Sequence, residues 1–394
     1  MTSTTVTMAP PHATPTLDRL ATVLLLLFVA SLQMSIFAAG ILLSLMLVCW
    51  VALLVRDRER PSAPAFLLPL VVYAALTLVS SAFSIEPWTS FEDDKQLVYL
   101  IVVPAVYYLA RGKRATTVMD VIIAVGAAGA AFGIVQYGML HFDSLGKRPQ
   151  GISHHYMTYS GFLMLGICAA LARLLFGKGD RIWPALVMPA MIVALFLTLG
   201  RGAWVGTSIA VAVMFSLKDF RLMAAIPVVV AVAFSFAPDT VTRRMTSVFD
   251  LKDPSNRDRM AMIQTGVAMT RAHPLTGVGP NMIEKVYVQY RAPGAVEPVN
   301  QHLHNVPMQI AAERGLPALA VFIWFVVRLG RALLEMFRSG QNRVLAATGF
   351  ASLIAMLAAG QFEYNFGDSE FQMLFLVLIT LPFAALRPET APRT

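Results

Sequence analysis

The feature that most limits what this chain can fold into is the recurrence of long apolar runs without charge. Residues 20–55 contain no Asp, Glu, Lys or Arg, and neither do 64–83, or 115–119 and 121–140 on the two sides of Asp120. A helix crosses the hydrocarbon of a bilayer with roughly 20 apolar residues, and such stretches repeat along all 394 residues. A large soluble helical protein would need a polar face on most helices, and these segments lack one. Composition agrees, with 14% charged residues against about 25% in soluble domains. The expected fold class is all-α, a polytopic integral membrane protein with about a dozen transmembrane helices.

The spans fall at about 20–36, 38–55, 64–83, 96–110, 117–138, 155–176, 182–199, 202–217, 222–236, 315–333, 344–361 and 369–386. Residues 1–394 read as one integral membrane domain. Asp18-Arg19 before an apolar run has the form of a signal peptide. A second run begins at once and continues to Val55, so an uncleaved hairpin is expected. Cys49 and Cys168 both lie inside apolar segments, which supports neither a disulfide framework nor a thiolate metal site.

Basic residues orient the spans. With both termini cytoplasmic, the inner loops carry Arg56, Arg58 and Arg60; Arg111, Lys113 and Arg114; Arg173, Lys178 and Arg181; Lys218 and Arg221; and Arg328, Arg331, Arg338 and Arg343. The short outer loops carry only Lys95, Lys147, Arg148 and Arg201. This is the positive-inside pattern. The formal charge of +8 then reflects topology and anionic headgroups, and no nucleic-acid partner is expected. One segment breaks the rhythm of short loops: 237–314, between the ninth and tenth predicted spans, is a long outer excursion. Structureless connections of that length are uncommon, so helices are expected inside it, at 256–272 and 281–290.

The most informative stretch is Gln301-His302-Leu303-His304-Asn305-Val306-Pro307. Asn305 suits an N-cap for a helix starting at Val306, and Pro307 is tolerated in a first turn. His304 then sits beside a helix N-terminus, where free N–H groups attract anions and lower a histidine pKa. Two readings stand, a general base or a histidine at the membrane interface. His302 and His304 with Glu297 or Glu313 suggest a metal, but no compact carboxylate cluster accompanies them. No metal and no other cofactor is expected.

Arginines form the second theme. Arg201, in Thr198-Leu199-Gly200-Arg201-Gly202-Ala203-Trp204, places a permanent charge at a span junction. That is costly unless the charge is paired or reaches the surface. Flanking glycines leave room for a ligand phosphate, and an interfacial anchor with Trp204 is the alternative. Arg257 and Arg259 open an expected helix; being two apart they face different ways, and Asp258 can neutralise one of them. The guanidinium fork suits phosphate. Lys147 and Arg148 precede Gly151-Ile152-Ser153-His154-His155-Tyr156, and His154, His155 and Tyr159 either line the same cavity or mark the membrane surface. His273-Pro274-Leu275-Thr276-Gly277-Val278-Gly279 does not fit the strand–GxxxxGK–helix pattern and reads as architecture. In the outer turn Glu363-Tyr364-Asn365-Phe366-Gly367-Asp368, Glu363 or Asp368 could orient a base or form a plain hairpin turn.

In this order, these features resemble the O-antigen ligase family, within the O-antigen ligase/polymerase superfamily of membrane glycosyltransferases. The resemblance rests on a dozen spans with one large late outer loop, on Arg201-Gly202, on an arginine followed after a helical stretch by His273–Gly279, and on His304-Asn305 ahead of Gly315. The family usually has serine where Gly200 stands and often tryptophan where Met262 stands. The resemblance implies a GT-C-like fold in the bacterial inner membrane, with its active site facing the periplasm. It implies inverting transfer of O-antigen polysaccharide from undecaprenyl diphosphate to a sugar hydroxyl of lipid A–core, among membrane lipids. His304 would be the base, and Arg201 and Arg257 would bind the diphosphate, with Arg259 in reserve. Lys147, Arg148, His154, His155, Tyr159 and Asn305 would be further substrate contacts. The rivals are an O-antigen polymerase, which extends a lipid-linked chain, and a protein O-oligosaccharyltransferase, for which a longer C-terminal segment is expected. From other classes come a transporter, which would place charges near the midplane, and a non-catalytic scaffold.

Overall fold

The computed structural model describes residues 15–153, 155–179, 181–250 and 252–388, and all regular structure among them is helical. Helices α1 (Pro15–Ser31) and α2 (Ile36–Asp57) form the first hairpin, followed by α3 (Leu67–Ala82) and the short α4 (Pro87–Asp93). A 3-10 turn, Asp94–Ile101, leads into α5 (Val102–Leu109). Then come α6 (Arg114–Met139), α7 (Tyr156–Phe176), α8 (Ile182–Leu197), α9 (Arg201–Lys218) and α10 (Ala225–Phe236). The expected outer excursion carries α11 (Asp239–Thr246), α12 (Pro254–Ala272) and α13 (Ile283–Tyr290). Helices α14 (Val306–Arg338), α15 (Arg343–Ala359) and α16 (Ser369–Ala384) complete the chain.

Each expected span coincides largely with helix, and those at 96–110 and 222–236 begin as 3-10 helix. The segment expected at 96–110 begins as a 3-10 helix and becomes α-helical only at Val102; Pro104 has no N–H to donate to the Leu100 carbonyl, and its ring crowds that oxygen. Four helices, α2, α6, α7 and α14, are long and apolar enough to cross a membrane, while α3, α8, α15 and α16 are shorter apolar helices. Sixteen residues at 1.5 Å each fall short of the roughly 30 Å hydrocarbon core, so the shorter ones need local thinning of the bilayer or shielding by neighbours. Large apolar side chains such as Val48, Val71, Leu186 and Ile323 are exposed on the outside of the bundle. Exposed apolar surface on this scale is the inverse of a water-facing exterior. With the long apolar helices, it supports a membrane location.

Two cores hold the molecule together. The larger runs through α1–α3, α5–α9 and α14–α16. In it α9 packs along α15, and Gly206 sets their close approach: a Cβ there would stand 2.7 Å from the Ala355 carbonyl oxygen. The start of α9 and the end of α15 therefore lie together. The smaller core, built from Met262, Met269, Ile283, Val286, Tyr287, Leu303 and Ala312, joins α12 and α13 to the first turns of α14.

Helix α14 breaks at Gly315 (φ 79°, ψ 172°), a backbone region reserved for glycine. The His273–Gly279 turn fills the break. The Val278 and Gly279 N–H groups donate to the Ala312 and Glu313 carbonyls (2.9 and 3.0 Å), and Leu316 N–H donates to the Pro274 carbonyl (2.8 Å). The Ser80 hydroxyl lies 2.6 and 2.9 Å from the Thr276 and Glu313 carbonyls. Groups freed by the kink are thus paired again, and the glycine-rich turn is architecture, as its sequence suggested.

Candidate active site

The site is assembled where helix ends meet. Asn305 (φ −154°, ψ 114°) caps α14, its side chain accepting from Met308 N–H at 2.9 Å. Val306 N–H donates to the Gly360 carbonyl at 2.7 Å, and the Asn305 amide donates to the Gln361 carbonyl at 3.2 Å. These bonds fasten the start of α14 to the turn after α15. They place His304 Nδ1 2.7 Å from Glu363 Oε1. Burial acts to lower the His304 pKa, but the Glu363 hydrogen bond and charge outweigh it and the net shift is upward. The sequence argument from the helix end anticipated a lowered value; the carboxylate reverses the sign. Glu363 correspondingly lies below the usual carboxylate range, because burial, which raises it, is overcome by His304. Nδ1 is occupied by the carboxylate, which leaves Nε2 as the nitrogen able to take a proton.

His304 has φ 48° and Leu199 φ 57°. Each is a non-glycine residue in the left-handed region, at a cost of about 1–3 kcal/mol. The second feeds directly into Gly200 and Arg201 at the start of α9. Strain of this kind persists where surrounding contacts hold it, and it concentrates at functional sites.

Beside the His304–Glu363 pair lies a cavity of about 530 Å³ into which Arg148, Arg201, Arg244 and Arg259 converge. Arg201 is 5% exposed. It donates to the Ser247 carbonyl and hydroxyl, both at 3.1 Å, and to Asp253 Oδ1 at 3.3 Å. Asp253 also lies 4.0 Å from Arg244 and caps α12 by accepting from Asn256 N–H. The Arg148 guanidinium stacks over the Tyr156 ring at 4.1 Å. Burial and the neighbouring Arg201 and Arg148 push Arg244 down to about 10. Arg259 is lowered for the same first reason, burial, with Arg201 contributing.

Carboxylates line this cavity too, and three of the four are engaged. Asp253 serves the arginines, Glu363 serves His304, and Asp258 accepts from the Val296 and Glu297 N–H groups and the Asn300 amide. Glu297 is the fourth.

A second cavity of about 700 Å³ adjoins the first, sharing Met157, Glu297, Asn300, His304, Glu363 and Asn365 with it, and is lined further by His155, Thr158, Glu284, Gln301, His302 and Asp368. The His302 ring packs 5.4 Å from that of Tyr364. Among the described residues no group of three or more His, Cys, Asp or Glu side chains is placed to hold a metal ion.

The structure therefore brings together His304, Arg201, Arg259 and Arg148 of the residues singled out from sequence, and places His155 in the second cavity. Arg257 is exposed and lines neither cavity. Lys147 is also outside, its ammonium 4.4 Å over the Phe142 ring. Tyr159 is packed inside the bundle against Gly133 and Gly151, and its hydroxyl donates to the Gly129 carbonyl at 2.9 Å. Asn305 is used as a cap. His154 lies outside the described residues. Arg244 was not singled out from sequence. The signal that could have found it is the Arg243-Arg244 pair ending α11, a short helix with one apolar buried position at Val241.

Fold and site together define a helical membrane protein with an arginine-rich pocket beside a histidine–carboxylate pair. A family model described as O-antigen ligase matches residues 186–323, from α8 through the outer helices into α14. The match includes Arg201, Arg244, Arg259 and His304, and at the family level it is consistent with glycan transfer. No curated protein gives a significant match to the chain.

Proposed function

We propose that this protein transfers a glycan from undecaprenyl diphosphate to a sugar hydroxyl of lipid A–core, on the periplasmic face of the inner membrane. The observation that carries the reading is the convergence of four arginines beside the His304–Glu363 pair. In this reading the acceptor hydroxyl gives its proton to His304 Nε2 while its oxygen forms a bond to the anomeric carbon. The bond from that carbon to the diphosphate oxygen breaks, and its electron pair leaves with the diphosphate. Attack opposite the leaving group inverts the centre. The leaving group departs already ionised, so no general acid is required. Arg201, Arg259, Arg244 and Arg148 hold the diphosphate and stabilise its developing charge, in a site where fixed donors are worth more than in water. Glu363 keeps the imidazole oriented and compensates its charge once protonated, as a carboxylate partner does for a catalytic histidine. Arg257, the other sequence candidate, has no part in this assignment.

About a dozen spans with both termini cytoplasmic put these groups on the outer face, where both lipid substrates present their headgroups. Holding two membrane-bound reactants in one site contributes much of the rate advantage through proximity. The test is reconstitution of the purified protein with undecaprenyl-diphosphate glycan and lipid A–core in the presence of EDTA. Transfer is expected to survive EDTA and to disappear in His304→Ala; undiminished transfer by that variant would refute the assignment of the base. Extension of the glycan on its lipid carrier, with lipid A–core left unmodified, would identify a polymerase instead.

A further inference from the structure

Resting on that reading, the two cavities divide the substrates. The arginine-lined one is suited to the diphosphate, so the acceptor enters through the other and presents its hydroxyl to the same histidine. That second cavity has a distinct electrostatic character. Glu284, Glu297, Glu363 and Asp368 line it, and no lysine or arginine does among the described residues. Two of these carboxylates are committed, Glu363 to His304 and Asp368 to the N-terminus of α16 and the Thr158 hydroxyl. Glu284, at the start of α13, lines this cavity and not the arginine-lined one. The remaining lining is amide and imidazole, from Asn300, Gln301, Asn365, His155 and His302, groups that exchange hydrogen bonds with neutral hydroxyls.

We propose that this second cavity selects the acceptor by charge: it takes a sugar that is neutral or carries an ammonium group near the attacked hydroxyl, and rejects one phosphorylated there. The physical basis is like-charge juxtaposition, which suppresses wrong partners more effectively than it strengthens right ones. A phosphate placed against four carboxylates finds no guanidinium or ammonium partner within the cavity. Arg201 and Arg259 line the adjoining donor cavity, where the diphosphate would occupy them. Glu284 is the position from which this selectivity is most cleanly adjusted, because it contacts neither the donor cavity nor His304.

The test uses the full-length protein in nanodiscs, one undecaprenyl-diphosphate glycan donor, and three synthetic glycolipid acceptors. The acceptors differ only in the terminal sugar: a hexose, a hexosamine, and a hexose phosphorylated beside the attacked hydroxyl. The phosphorylated acceptor is expected to show kcat/KM lower than the hexose by on the order of 10-fold or more, mainly through KM. Glu284→Gln should narrow that gap, read as the ratio of kcat/KM for the two acceptors within the same variant. For the unmodified protein, raising ionic strength should narrow it as well, because screening weakens partly exposed charge interactions. Equal use of the phosphorylated and neutral acceptors would overturn the inference and leave the transfer reading intact, as would a gap unmoved by both salt and Glu284→Gln. If none of the acceptors is glycosylated, the transfer reading fails and this inference falls with it.

Discussion

One of the two cavities at His304 is lined by four arginines; the other is lined, among the described residues, by none. Both contain carboxylates, so the difference lies in the cations and in how the acids are used. On the arginine side Asp253 and Asp258 hold the structure, one bridging guanidinium groups and the other clamping the 296–300 loop. Glu284, which lines only the second cavity, and Glu297, which lines both, make no ion pair or hydrogen bond through their carboxylates among the described residues. A transferase has to stabilise negative charge on a leaving group and remove a proton from a nucleophile. Here those tasks fall to two adjoining cavities that share one histidine–carboxylate pair.

Removing the shared wall should have the largest effect. His304→Ala eliminates the base, and transfer should fall by about 10³-fold or more, the upper range for a positioned general base, measured as initial rate with both substrates saturating. Next comes the arginine side. Arg259→Ala should lower kcat/KM for the donor by about 10²-fold, as loss of one electrostatic donor does elsewhere. Arg257→Ala, one position away from the buried Asp258 on the other flank, should stay within about twofold, the ordinary tolerance of an exposed surface charge. Comparable losses in both variants would erase the distinction between the cavity wall and the outer face of α12. Arg244→Ala should have a smaller effect, about 10-fold in donor KM with kcat less affected. Its charge is partly matched by Asp253, 4.0 Å away, so less of it is available to the donor. A binding assay with undecaprenyl diphosphate separates this loss from any effect on chemistry.

The membrane bundle was largely legible because its signal is local. A charge-free run of 20 residues has few ways to satisfy its backbone in lipid other than helix, and 20–55 or 121–140 states this without reference to the rest of the chain. The Asn305 cap was legible for the same reason, since an Asn ahead of Val-Pro satisfies the first N–H groups from within one turn. Arg201 stood out because a charge between two apolar helices is costly unless something holds it.

What was not legible depends on pairings distant in sequence and on helix phase. Glu363 was a candidate to orient a base, but its place against His304 comes from the bonds between Asn305-Val306 and Gly360-Gln361, which no local pattern encodes. The choice between Arg257 and Arg259 turns on which face of α12 meets the bundle. The inward stripe contains Met262, Gly266 and Met269, and stepping back by three from Met262 reaches Arg259. That phase becomes decisive only once the buried face is known. Arg244 sits in an eight-residue helix of low apolar content, where a basic pair reads as solvated charge. The direction of the His304 shift could not be read from the helix end alone, because the carboxylate that reverses it arrives from the turn after α15.

The pH dependence of transfer, measured for the unmodified protein and for Glu363→Gln in parallel, tests most directly whether His304 acts as the base under control of its carboxylate. Only the neutral imidazole accepts a proton, so activity should rise with pH through the His304 pKa, which lies above the ordinary histidine value in the intact pair. Replacing the carboxylate removes the main influence that raises it and leaves burial and Arg259, which lower it, against the lesser raising effect of Asp258. The rising limb should therefore move to lower pH, with the plateau reduced by about 10-fold or more as orientation is lost. A rising limb at the same pH in both proteins, or a profile flat across the histidine range, would contradict the account.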